Sequence, residues 1–163
     1  LYLLQQILHA SNRTLENFNL PSPQENWAEM TDNRLIAEQQ NYEPEIERNL
    51  SAENIPKLNI QQRNAHDVVV QSVMQNKPQL FFISGPGGTG KTFCYNTLCH
   101  TLRAEEKIVL CVASSGIASL LLIGGRTAHS VFKIPIPVHN ESVCSFTKNS
   151  MVGELIQRTD LII

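Results

Sequence analysis

Residues 81–92 read FFISGPGGTGKT, a short apolar run that breaks into a glycine-rich turn and ends on Lys-Thr. Gly85-Pro86-Gly87-Gly88-Thr89-Gly90-Lys91-Thr92 fits the pattern G-x-x-x-x-G-K-[ST], which belongs between a strand and a helix in a parallel sheet. Glycines let the backbone take turns that a Cβ forbids, so that successive N–H groups converge on a phosphate. The following helix adds the positive end of its dipole. Lys91 would reach the β- and γ-phosphates, and the Thr92 hydroxyl would hold a Mg²⁺ bridging the same oxygens. All eight residues are therefore candidate nucleotide contacts, with Lys91 and Thr92 as the catalytic pair and Thr92 as the metal contact through the nucleotide.

The flanking pattern supplies the α/β context. Asn59 can cap a helix from about Ile60 to Asn76, Gln79 to Ser84 reads as a buried strand, and Gly90 to about Glu105 as a second helix. Lys107 to Ala113 reads as a second strand and Asp160 to Ile163 begins a third. Strands alternating with helices imply a parallel sheet. The expected fold over 56–163 is α/β with a parallel sheet.

Before residue 56 the character differs. Residues 1–55 carry nine acids and three bases, a net charge of −6, whereas 56–163 carry ten bases and six acids, +4. A weakly basic second half suits a polyanion, and it equally suits scattered solvated charge. Leu1, Leu3, Leu4, Ile7 and Leu8 fit one helical face, stopped by Leu20-Pro21-Ser22-Pro23. Leu35, Tyr42, Ile46 and Leu50 suggest a second helical stripe, with Pro44 at a break or restart. An acidic helical leader is expected over 1–55. The chain lacks an initiator Met and stops inside a strand, which suggests a piece of a longer protein.

Hydrophobic residues make up 42% of the chain and charged ones 17%, ordinary for a globular protein. The run from Ile117 to Ile123 is far short of the roughly 20 residues that span a bilayer, so no membrane partner is expected. Cys94, Cys99, Cys111 and Cys144 show neither a CxxC pair nor zinc spacing and read as reduced thiols.

Three ordered stretches join the P-loop: Leu58-Asn59-Ile60-Gln61-Gln62, Cys111-Val112-Ala113-Ser114-Ser115-Gly116-Ile117-Ala118-Ser119, and Gly124-Gly125-Arg126-Thr127-Ala128-His129-Ser130-Val131-Phe132. Together they resemble the Pif-one family of superfamily-one DNA helicases, especially the branch encoded by helitron transposons. The resemblance implies a partial RecA-like P-loop domain over 56–163, and an ATP-dependent DNA helicase that moves 5′ to 3′ on single-stranded DNA with Mg²⁺ and ATP. It implies work in the nucleus, in repair, recombination or telomere maintenance. Gln62 matches the family glutamine that reads adenine, although at N3 after Asn59 it equally fits a capping box. Ser114, Ser115 and Gly116 match the stretch that holds DNA phosphates, or else a plain N-cap. The family's usual Thr-Gly stands here as Ser115-Gly116, and Val112 replaces an expected threonine. His129 and Ser130 match residues near the DNA path, and Arg126 is a candidate phosphate contact. The family's acidic Mg²⁺-binding pair would follow Ile163, so these 163 residues alone are expected to be inactive. A small-molecule P-loop kinase would share residues 79–92, and a non-catalytic transposon remnant is a third reading.

Overall fold

The computed structural model describes residues 8, 13–18, 20 and 33–163. The face expected from Leu1, Leu3, Leu4 and Ile7, and the stop at 21–23, lie outside them. Two compact units are present, Leu1–Arg34 and Leu35–Ile163. Of the first, the described residues show one 3-10 turn at Leu15–Phe18. The second carries the chemistry.

Helix α1 covers Arg34–Gln40 and α2 covers Pro44–Asn54, with Pro44 in the first turn, where its missing N–H is no loss. Helix α3 spans Ile60–Met74, and α4, which follows the glycine loop, spans Lys91–Ala104. The polypeptide then forms β1 (Val109–Leu110) and β2 (Val112–Ala113), the short helix α5 (Gly116–Ser119), β3 (Arg126–Thr127), α6 (Ala128–Phe132), α7 (Met151–Arg158) and β4 (Leu161–Ile162). Both strand pairings are parallel: Val109 stands opposite Leu161, and Val112 opposite Arg126. The stretch 109–113 is common to both pairs, and bonds from Val112 N to Ile163 O (2.7 Å) and from Arg126 N to Cys111 O (3.0 Å) extend the ladders across it.

Alternation along this central stretch builds two cores. Val109 and Cys111 face α3 and α4, packing with Val73, Cys99 and Leu102. Ile108 and Leu110 face the other way, against Ile36 of α1 and Leu155 of α7. Helices on both faces are what a parallel strand needs to bury its apolar run. Leu98 and Leu102 are 2% and 0% exposed, each worth about 2–3 kcal/mol of burial.

Two expectations need correction. Gln79–Ser84 is not a strand: Leu80 and Phe82 stand exposed, and a 540 Å³ cavity separates Leu80, Phe81 and Ile83 from Leu161, Ile162 and Ile163. Hydrogen-bonded strands sit about 4.8 Å apart, which leaves no room for such a cavity. The apolar stripe is only partly buried: Leu35, Tyr42 and Leu50 are half-buried and Ile46 is half exposed, while Glu47 and Ser51 of α2 are buried. These two polar residues meet partners on α4. Glu47 Oε2 lies 2.7 Å from His100 Nδ1, and Ser51 Oγ lies 2.7 Å from Thr101 Oγ1. Residues 35–55 of the acidic leader thus pack within the same unit as the P-loop helix.

Candidate nucleotide site and adjoining strand ends

Two loop glycines, Gly88 and Gly90, hold φ of 77° and 78°, in the left-handed region that a Cβ disfavours. Gly90 is also the N-cap of α4, so the reversal turns straight into the helix. The Thr89 hydroxyl donates to Pro86 O at 2.9 Å and tightens the turn. Lys91 Nζ reaches back to donate to Gly85 O (2.7 Å) and Pro86 O (2.8 Å), which holds the ammonium across the mouth of the loop. Thr92 lines the 540 Å³ cavity with Tyr95, Val112, Ala113 and Ala118.

Gln62 satisfies both halves of the capping box: its backbone N–H donates to Asn59 Oδ1 and its Oε1 accepts from Asn59 N, each at 2.9 Å. The remaining amide group, Nε2, donates to Thr89 O at 2.9 Å. One side chain therefore caps α3 and pins the P-loop backbone. The spacing Asn59-x-x-Gln62 revealed the cap; the bond to a residue 27 positions away had no local signal. Cys94 Sγ on Gln62 O (3.6 Å) ties α3 to α4 a second time.

The parallel register brings the other candidates to one end of the sheet. Ala113 pairs with Thr127, so Ser114–Gly116 and His129–Ser130 leave from adjacent carboxyl ends, the side where open α/β sheets bind ligands. Ser114, Ser115 and Gly116 are exposed. Ser115 Oγ caps α5 through Ala118 N (3.2 Å), so the cap is present and the serine keeps a second lone pair outward. Thr127 caps α6 through Ser130 N (3.3 Å). Arg126 does not point at a vacant surface: its Nη2 donates to Glu38 Oε2 of α1 at 3.1 Å.

Two positioning residues escaped the sequence reading. Asn96 of α4 donates from Nδ2 to Leu121 O (3.1 Å) and accepts from Ile123 N (3.2 Å), tying the P-loop helix to the segment beyond α5. An isolated helical asparagine carries no signal of that. His66 of α3 lies 2.9 Å from both Asp67 Oδ1 and Thr101 Oγ1, joining α3 to α4.

The glycine loop opens a helix in a protein of mixed α/β architecture with short parallel strand pairs. Residues 57–163 match the model of the PIF1-like helicase family, and the chain belongs to that family. It is 34% identical over 87 residues to the ATP-dependent DNA helicase PIF4 of Trypanosoma brucei brucei, covering 50% of this chain and 10% of that protein. It is 32% identical over 89 residues to the ATP-dependent DNA helicase Pif1 of Campylobacter jejuni, covering 50% and 20%. The uncharacterized protein 030L of Invertebrate iridescent virus 6 is 36% identical over 80 residues, covering 48% and 14%. The chain thus spans a tenth to a fifth of these relatives. Among the described residues no helix is long and apolar enough to cross a membrane.

Proposed function

We propose that this chain is the nucleotide-binding part of an ATP-dependent DNA helicase with a RecA-like first domain, translocating 5′ to 3′ on single-stranded DNA. The observation that carries the reading is the Lys91 ammonium held at 2.7 and 2.8 Å over the glycine loop. A triphosphate entering the loop replaces two neutral carbonyls with anionic oxygens, and charge-assisted bonds are the stronger ones. Backbone N–H groups from Gly87 to Thr92 and the start of α4 receive the same oxygens. Gln62, already fastened to Thr89, stands where it can turn its amide to the adenine edge.

The residues fit Mg²⁺ in a limited way. Thr92 lines the cavity beside the loop, and among the described residues no cluster of acids, histidines or cysteines could hold an ion alone. Thr92 would therefore share the ion with the nucleotide. When bound, Mg²⁺ neutralises charge on the β- and γ-oxygens.

Single-stranded DNA would cross the carboxyl ends of β2 and β3, on Ser114, Ser115, Gly116, His129 and Ser130, through hydroxyl and backbone contacts that position without reading sequence. Arg126 joins them when a phosphate displaces Glu38. The nucleus as the place of work rests on the family resemblance alone.

The test is Lys91→Ala in the whole protein. Turnover of ATP should fall on the order of a hundredfold or more, while affinity for a labelled oligothymidine stays within about twofold of wild type, because Lys91 is assigned to nucleotide and not to DNA. Wild-type turnover would sink the assignment. Stimulation of the unsubstituted protein by single-stranded DNA separates a helicase from a small-molecule kinase.

A further inference from the structure

Cys99 of α4 and Cys111, between β1 and β2, place their sulfurs 3.2 Å apart in the core. They are 0% and 3% exposed and packed among Val73, Leu102 and Val109. Beside them lies a second anomaly. Arg103 is 3% exposed, and its Nε and Nη1 are buried without a hydrogen-bond partner. Only Nη2 is occupied, by Val109 O (3.3 Å) and Ile123 O (3.1 Å), and the Tyr42 ring covers one face of the guanidinium at 3.9 Å. A buried cation with idle donors calls for an anion nearby.

We propose that Cys99 and Cys111 form a redox-active dithiol, with Cys111 the attacking sulfur and Cys99 the resolving one, that hydroperoxides close to a disulfide. The hydrogen bond from the Cys99 thiol and then the charge of Arg103 hold the Cys111 thiol below its ordinary range, against the opposing effect of burial. The same hydrogen bond, with burial, drives the Cys99 thiol upward. This asymmetry separates nucleophile from resolving thiol. Arg103 and Tyr42 also line a 310 Å³ cavity.

The Cys111 thiolate attacks one peroxide oxygen; the O–O bond breaks, and the departing hydroxide takes the Cys99 proton to become water. The Cys99 thiolate then attacks the sulfur of the Cys111 sulfenic acid. The S–O bond breaks, hydroxide leaves and takes a proton from solvent, and the S–S bond forms. The two sulfurs give up two electrons and the peroxide is reduced to two waters. Closing from 3.2 Å to a bond of about 2.05 Å needs a movement of roughly 1 Å between α4 and the strand.

Cys94 is the internal control. It is 1% exposed, on the same helix, and burial alone pushes its thiol up. The purified chain is treated with hydrogen peroxide, denatured in acid with a maleimide, and mapped by mass spectrometry. The expected product joins the peptides of Cys99 and Cys111, is lighter by two hydrogens, and reverts in dithiothreitol. In Cys99→Ser, dimedone should trap the Cys111 sulfenic acid at least about tenfold faster than it labels Cys94. Maleimide on both Cys99 and Cys111 after peroxide, a bridge to Cys94 or Cys144 instead, or equal dimedone labelling of Cys94 and Cys111 would each overturn the proposal.

Discussion

Replacing Gly90 by alanine should destabilise the fold far more than the same change at Gly87, three residues earlier. Gly90 holds φ +78°, and a Cβ there would stand 2.6 Å from Gln62 Nε2. The left-handed backbone costs an L residue about 1–2 kcal/mol. The clash pushes Gln62 off Thr89 O, which loses a hydrogen bond worth about 1 kcal/mol. The sum is roughly 2–3 kcal/mol, provided that the capping half of Gln62 survives. Gly87 has no φ in that region and meets nothing within 4 Å, so alanine there should be neutral or stabilise by up to about 1 kcal/mol through the unfolded chain. Urea unfolding followed by circular dichroism measures both, with unchanged m-values as the check on two-state behaviour. If Gly90→Ala lies within about 0.5 kcal/mol of wild type, or Gly87→Ala costs as much as Gly90→Ala, the assignment of backbone geometry to this loop is wrong.

Gln62→Ala should cost about 1–2 kcal/mol by removing the capping box and the bond to Thr89; if the amide also serves adenine, the preference for ATP over GTP in nucleotide binding falls with it, and an unchanged preference leaves it a cap. Glu47→Ala leaves the buried His100 without its hydrogen-bond partner and should cost about 1–3 kcal/mol in urea unfolding, whereas Glu53→Ala, at an exposed pair with Lys57, should leave the midpoint where it was. The Asp67 carboxyl is held below the ordinary range first by the hydrogen bond from His66 and then by Arg63. Its stabilising contribution is therefore complete above the ordinary carboxylate range, about pH 4, and is lost as pH falls through the lowered value. Asp67→Asn should flatten the acid limb of stability against pH, by a small amount because the carboxylate is half exposed, and an acid limb identical to wild type would refute it.

The glycine turn that opens a helix, the capping box at Asn59 and Gln62, and the helices at Ile60–Met74 and Lys91–Ala104 were all legible in the chain, because each rests on chemistry confined to a few neighbouring residues. A glycine that tolerates positive φ, an amide three residues past an asparagine, or an apolar run along 108–113 needs no distant partner to be read. The pairings that only tertiary structure decided link residues far apart along the chain. Glu47 finds His100 across 53 positions, Glu38 finds Arg126 across 88, and Gln62 finds Thr89 across 27. Nothing in the local pattern marks Glu47 and Ser51 for burial, and they are buried because α4 offers His100 and Thr101 opposite them. Local pattern made 79–84 a strand, and that segment stays unpaired because a ladder is a property of two backbones, and the edge of β4 lies across a cavity from it.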